Sequence, residues 1–161
     1  MPLIPDRAVF ERSFATLPIA SFQAGEVVFL TGSRTGRLLI LKKGAVAIVK
    51  EGVEIARVSE PGAVFGELSI LLDQPHTADV LTLESSEFHV ASESLLAEDQ
   101  LASIYIAVVL ARRVNNANRA LVELKHQFHA GEPHSMIAET LAEIECNLVY
   151  AGYPSNPLSP H

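Results

Sequence analysis

The segment from residue 61 to residue 80 has the residue types of a small anion-binding site. It reads PGAVFGELSILLDQPHTADV, with Glu67 directly after Gly66 and a short helical stretch at 68–72. Bare backbone at a glycine, amides at the start of a helix and the nearby hydroxyl of Thr77 can together hold a negative group. A carboxylate beside such a group makes sense if the ligand also has a sugar hydroxyl to donate. The segment therefore predicts a ligand with one negative group and a vicinal hydroxyl.

Within this segment, FGELSILLDQPHTADV resembles the phosphate-binding cassette of the cyclic-nucleotide-binding domain family, the catabolite-activator type. The common form of that cassette is FGE(L)(A/S)LL, three residues, then PR(S/T)AxV, and the spacing here matches without a gap. The resemblance covers about residues 17–127: residues 17–52 resemble the first strands of the family, and residues 94–129 resemble its C-terminal dimerisation helix. The resemblance implies cAMP or cGMP as the ligand and no separate cofactor.

Carried over position by position, the resemblance assigns six residues to the ligand site: Gly66, Glu67, Leu68, His76, Thr77 and Ala78. It implies that Glu67 accepts a hydrogen bond from the ribose 2′-hydroxyl, and that backbone groups of Gly66 and Leu68 line the sugar and phosphate. Thr77 matches the hydroxyl donor and Ala78 the backbone amide that hold the cyclic phosphate.

His76 stands where the family usually has arginine. Arginine is always charged and can bind a phosphate through two parallel hydrogen bonds. Histidine is shorter, is mostly neutral near pH 7 and offers one hydrogen-bond donor at a time. A charged hydrogen bond contributes on the order of 1.5–3 kcal/mol, so the replacement weakens binding by roughly ten- to a hundredfold or more. We expect a weak cyclic-nucleotide sensor. The alternatives are a site for another small anion, and a dimerisation scaffold or regulator remnant that no longer binds a ligand.

Short β-branched runs separated by glycines surround the cassette. They predict strands at 26–31, 37–42, 45–50, 53–58, 79–83 and 86–91. Several short strands without alternating helices indicate an antiparallel sandwich, roll or barrel. We therefore predict a mainly β fold with flanking helices: a double-stranded β-helix (jelly-roll, cupin-like) over residues 1–92, which opens with a helix capped by Asp6 and contains the cassette at 62–80.

Residues 94–129 contain no Gly or Pro and predict one long helix within the segment 93–130, ended by Gly131. Seven apolar residues on it recur at spacings of three and four: Ala107, Leu110, Val114, Ala117, Leu121, Leu124 and Phe128. This seam of seven residues predicts a homodimer along the helix; the alternative is that it docks only within its own chain. A second stripe, Leu101, Ile104 and Val108, is expected to pack on the roll. Residues 131–161 are expected to hold a short helix, with a face formed by Ile137, Leu141, Ile144 and Leu148, and a flexible tail.

Other residues with reactive or charged side chains receive non-catalytic interpretations. Arg112 and Arg113 could stack on a purine, but a solvated helix face is the expected role for both. His126 and His129 lie three apart on the helix without a third ligand, so solvated side chains are expected and no metal site. His89 is expected to face the surface or to be a satisfied core residue. No HxH pair, nucleophile elbow or Walker loop occurs, so we predict no enzyme activity.

Charge and composition exclude several other functions. The net charge of −7, and the absence of Lys and Arg after residue 131, argue against nucleic acid as a partner and against a helix-turn-helix. No apolar run approaches the length of a membrane span, and the first residues do not form a signal peptide. The single cysteine, Cys146, fits a reducing compartment and a small buried position. We expect a cytoplasmic protein that passes its signal to an unidentified effector protein.

Overall fold

In a computed structural model, the chain is described over residues 6–149, and its side chains over residues 6–144. Within this range the helices are α1 (Arg7–Phe14), α2 (Glu67–Leu71), α3 (Glu93–Glu98), α4 (Gln100–Ala130) and α5 (His134–Val149). The strands are β1 (Ile19–Phe22), β2 (Val27–Phe29), β3 (Arg37–Lys43), β4 (Val46–Lys50), β5 (Val53–Val58), β6 (Val64–Phe65), β7 (Asp79–Thr82) and β8 (Ser86–Ser92). The predicted mainly β fold with flanking helices is confirmed.

The strands form two antiparallel sheets, ordered β1-β8-β3-β6 and β2-β7-β4-β5. The core of this roll is apolar and is built from residues of both sheets: Phe29, Leu39, Leu41, Val46, Ile48, Val58, Phe65, Val80 and Phe88. Each sheet therefore has one face packed on the core, as expected for a jelly-roll. β1 and β6 were not predicted, because each offers too short an apolar run to be recognised.

A second core joins the helices to the roll. Phe10 and Phe14 of α1 pack with Tyr105 and Val109 of α4 and with Ile40 of β3. The predicted second stripe of α4 packs against this cluster, as expected. The Tyr105 hydroxyl also donates to the Gly62 carbonyl over 2.5 Å, which attaches α4 to the start of the cassette.

The prediction of one helix over 94–129 was wrong in one respect, because the helix is interrupted at Asp99. This residue is extended, with φ −98° and ψ 102°, and its carboxylate accepts hydrogen bonds from the amides of Leu101 and Ala102. It is therefore the N-cap of α4 and separates it from α3. The C-terminal end is as predicted, since Gly131 adopts the left-handed conformation at φ +69°.

The α4 seam is largely uncovered within its own chain. Of its seven residues, Ala117 is buried, whereas Val114, Leu121 and Phe128 are 57%, 45% and 73% exposed. The C-terminal part of the helix packs against α5, where the buried Thr140 hydroxyl donates to Gln127 over 2.8 Å. The described part of the chain therefore covers the seam only in part: Ala117 is buried and Leu110 and Leu124 are half-buried.

The face predicted for the last helix is partly correct. Ile144 is buried and Ile137 half-buried, but Leu141 is 45% exposed. The side chains of Cys146 and Leu148 and the proline-rich tail lie outside the described residues. From residue 6 to residue 149, none of the helices combines the length and apolar character needed to cross a membrane.

Candidate functional site

The cassette and the facing strands enclose a cavity of about 270 Å³. All six residues assigned from the sequence line it, so the fold brings them together. The rest of the wall comes from β2, β4, β5, β6, β7 and α2, and consists of Phe29, Ile48, Lys50, Ile55, Val64, Phe65, Ser69 and Val80. The cavity thus has one polar side, supplied by the cassette, and a mostly apolar opposite side.

Gly66 makes the turn from β6 into α2 possible. Its φ is +87°, a conformation that disfavours any residue with a Cβ. A Cβ built there would lie 2.7 Å from the Arg37 carbonyl oxygen and 3.0 Å from the Phe29 ring. The position therefore requires glycine for two reasons, and this turn places Glu67 at the first residue of α2.

Glu67 is buried, at 4% exposure, and its carboxylate forms an ion pair with Nη1 of Arg113 on α4. Arg113 is 3% exposed, and its Nη2 donates to the Val64 carbonyl over 2.9 Å. The interpretation of Arg113 as a solvated residue was wrong, because its guanidinium holds the site carboxylate instead. A ligand hydroxyl that reaches Glu67 will share this carboxylate with Arg113.

Sequence reasoning missed this arginine, although a signal for it exists. The residues of α4 that face the roll are buried at steps of three or four, and Arg113 falls between Val109 and Ala117 in that series. An arginine within an otherwise apolar stripe needs a buried acidic partner. Arg112, the other candidate, is half-buried on a different side of the helix.

His76 is buried against the roll rather than free in the cavity. Its ring stacks on Phe29 with centroids 4.1 Å apart, and its Nε2 lies 2.9 Å from the Thr35 hydroxyl. Its backbone N–H donates to the Ser33 carbonyl. Burial lowers the pKa of His76 below its ordinary value, so the imidazole is neutral at pH 7. The histidine therefore brings no positive charge to the site at neutral pH.

Thr77 and Ala78 connect His76 to β7. Thr77 is exposed at the rim of the cavity and Ala78 is half-buried. The next residue, Asp79, accepts a hydrogen bond from the Thr31 amide over 2.7 Å, and this bond lowers the pKa of its carboxyl group. The first residue of β7, which directly follows Thr77 and Ala78, is therefore attached to the loop after β2.

The remaining histidine candidates lie outside the site. His126 and His129 are exposed on α4, as expected. His89 is half-buried, and its Nδ1 is buried without a hydrogen-bond partner among the described residues. The expectation that His89 is either surface-facing or satisfied was therefore wrong.

The fold is shared with proteins of known structure. The catabolite activator protein of Thermus thermophilus is 17% identical, with a TM-score of 0.57, and the match covers 89% of this chain and 80% of that one. The structure of Sp-2Cl-cAMPS bound to PKAR CBD2 is 24% identical with a TM-score of 0.56, covering 72% and 78%. The cAMP-bound PfPKA-R (141–441) is 19% identical with a TM-score of 0.52, and the match covers 75% of this chain but 39% of that one.

At these identities the similarity concerns the fold alone. The family is indicated independently by the model of the cyclic nucleotide-binding domain, which matches residues 19–98. This range contains both sheets and the whole cassette. The chain therefore belongs to the cyclic nucleotide-binding domain family.

Proposed function

We propose that this domain is a regulatory sensor that binds cAMP or cGMP weakly in the cassette cavity and catalyses no reaction itself. The observation that supports it is that all six assigned residues line one cavity of about 270 Å³. That volume lies near the lower end of the roughly 300–1,000 Å³ of small-molecule sites. One polar side and one apolar side suit a ligand with a phosphate and sugar at one end and a purine at the other.

Each polar group of the cassette has a role in this proposal. The Glu67 carboxylate, oriented by Arg113, accepts from the ribose hydroxyl. The Thr77 hydroxyl and the Ala78 amide donate to the cyclic phosphate. His76 contributes little, because it is neutral and its Nε2 already has the Thr35 hydroxyl as a partner. The lack of a charged, two-bond donor at position 76 is the physical reason for weak binding.

Calorimetric titration with cAMP and cGMP at pH 7.5 tests this function. We expect saturable binding by the wild type and binding roughly ten- to a hundredfold tighter by His76→Arg, since a charged bidentate donor is added. Leu72→Arg is the matched control, because Leu72 is 62% exposed and outside the cavity lining. Absence of heat from the wild type with millimolar amounts of either nucleotide would contradict the proposal.

The exposed α4 seam supports a second copy of this chain as its partner. Its residues follow the a/d pattern that pairs helices, and the described part of the chain leaves Val114, Leu121 and Phe128 exposed. In this arrangement α4 also carries Arg113, so the helix that contacts Glu67 is the helix at the dimer interface. An unidentified effector protein would receive the signal through α4 and α5.

Light scattering measures the predicted dimer. Leu121→Glu places a charge within the seam, and we expect the molar mass to fall from that of two chains to that of one. Arg119→Glu is the control, because this exposed residue lies on α4 outside the seam. An unchanged mass for Leu121→Glu, or equal loss in both variants, argues against the seam as the interface.

A further inference from the structure

Among the residues that the structure describes, one cation of the cavity lining takes part in no ion pair. Lys50, at the end of β4, and Glu67 are the charged lining residues at neutral pH. Glu67 is paired with Arg113, and His76 is neutral. Lys50 takes part in none of the ion pairs formed by the described residues. The positive charge available to a negative ligand group in this cavity is therefore that of Lys50.

Strand register places this lysine beside the cassette. In the β4–β7 ladder, Ile48 pairs with Val80 and Val49 pairs with Asp79. Continuing the same antiparallel register by one residue puts Lys50 opposite Ala78. Directly opposed residues have Cβ atoms about 4.5–5.5 Å apart.

The side chains of Lys50 and Ala78 also share one face of the sheet. Residues two apart on a strand point to the same side. Ile48 and Val80 both line the cavity, so Lys50 and Ala78 do as well, in agreement with the observed lining. The ammonium group therefore lies within a lysine side chain's reach of the Thr77 hydroxyl and the Ala78 amide.

The carboxylates nearest to Lys50 along the chain and across the ladder do not capture it. The adjacent Glu51 takes part in no ion pair among the described residues, Glu54 pairs with Arg57, and Asp79 accepts from the Thr31 amide. Lys50 is itself exposed, so its charge carries little desolvation penalty before a ligand arrives. Its three donors are available to an anion.

We infer that Lys50 is the residue that neutralises the negative group of the ligand, next to Thr77 and Ala78. This inference rests on the proposed function and specifies how the cavity holds a phosphodiester monoanion while His76 stays neutral. Lysine binds as a point charge rather than as a two-bond fork, so the contact tolerates some displacement of the phosphate. The ligand class is then a singly charged cyclic phosphate.

Titration of Lys50→Met with cAMP measures the contribution of this charge. We expect affinity to fall roughly ten- to a hundredfold, because a charge-assisted hydrogen bond is lost while the stem is retained. Lys50→Arg should stay within a few-fold of the wild type. Lys43→Met is the matched control: Lys43 is an exposed lysine outside the cavity lining whose ion pair with Glu87 is at the surface. Raising the salt concentration should weaken wild-type binding more than Lys50→Met binding.

These measurements distinguish a failure of the proposed function from a failure of the inference about Lys50. If the wild type does not bind cAMP or cGMP, the proposed function and this inference fall together. If the wild type binds and Lys50→Met binds equally well, the inference is wrong and the proposed function stands. Thermal unfolding of each variant shows whether a loss of binding reflects a loss of fold. If Lys50→Met does not fold, Lys50→Glu should lose binding while Lys50→Arg stays within a few-fold of the wild type.

Discussion

Arg113→Met is expected to lower the free energy of unfolding by about 3–5 kcal/mol, because it leaves the Glu67 carboxylate buried without its partner. Both residues are less than 5% exposed, so water cannot replace the guanidinium without opening the structure. The variant also loses the hydrogen bond from Nη2 to the Val64 carbonyl. Urea denaturation at fixed protein concentration measures the difference.

Two further variants separate charge from packing in this experiment. Arg119→Met removes an exposed arginine from the same helix and should change stability by less than about 0.5 kcal/mol. The double variant Glu67→Gln, Arg113→Met removes both charges and should recover part of the loss. A loss below about 1 kcal/mol for Arg113→Met, or no recovery in the double variant, would contradict the assignment of a buried ion pair.

Gly66→Ala is expected to destabilise the fold and to abolish nucleotide binding. The left-handed conformation alone costs a residue with a Cβ about 1–2 kcal/mol. The new methyl group would also lie 2.7 Å from the Arg37 carbonyl oxygen, and relief of such overpacking typically costs about 1–3 kcal/mol more. Because β6 and α2 meet here, the shift would also displace Glu67.

Gly32→Ala is the matched control for this substitution. Gly32 has almost the same φ, +84°, but a Cβ there would have nothing within 4 Å. It should show the backbone penalty without the steric one, so Gly66→Ala should lose about 1–3 kcal/mol more in urea denaturation. Equal losses in the two variants would show that the close approach to Arg37 and Phe29 is unimportant.

The cassette residues that line the cavity were predictable because they are neighbours in the chain. Gly66, Glu67, Thr77 and Ala78 fall within one short segment whose spacing sets one turn, one short helix and the start of one strand. Such local geometry depends on glycine conformation and turn residues, which can be recognised from the sequence. For the same reason Asp6 and Gly131 were correctly identified as helix boundaries.

The break at Asp99 was not predicted, although its cause is local. An aspartate can cap a helix or lie within one, and the flanking residues favoured helix on both sides. The structure resolves the ambiguity, because the carboxylate bonds to the first amides of α4 while Leu101 and Ala102 turn towards the roll. Packing of α4 against the second core thus decides where the helix begins.

The cassette at residues 62–80 indicated the family and the six residues that line the cavity, and the short β-branched runs around it indicated the mainly β fold. The tertiary structure alone decided which charged side chains lie near these six residues and which of them pair. Arg113 is 46 positions from Glu67, and Lys50 lies on β4, which reaches the cassette by pairing with β7 rather than along the chain. Burial of His76 beside Phe29 and Thr35 lowers its pKa below the ordinary value of a histidine. Electrostatic interactions depend on distance and burial in space, and neither quantity can be read from separation along the sequence.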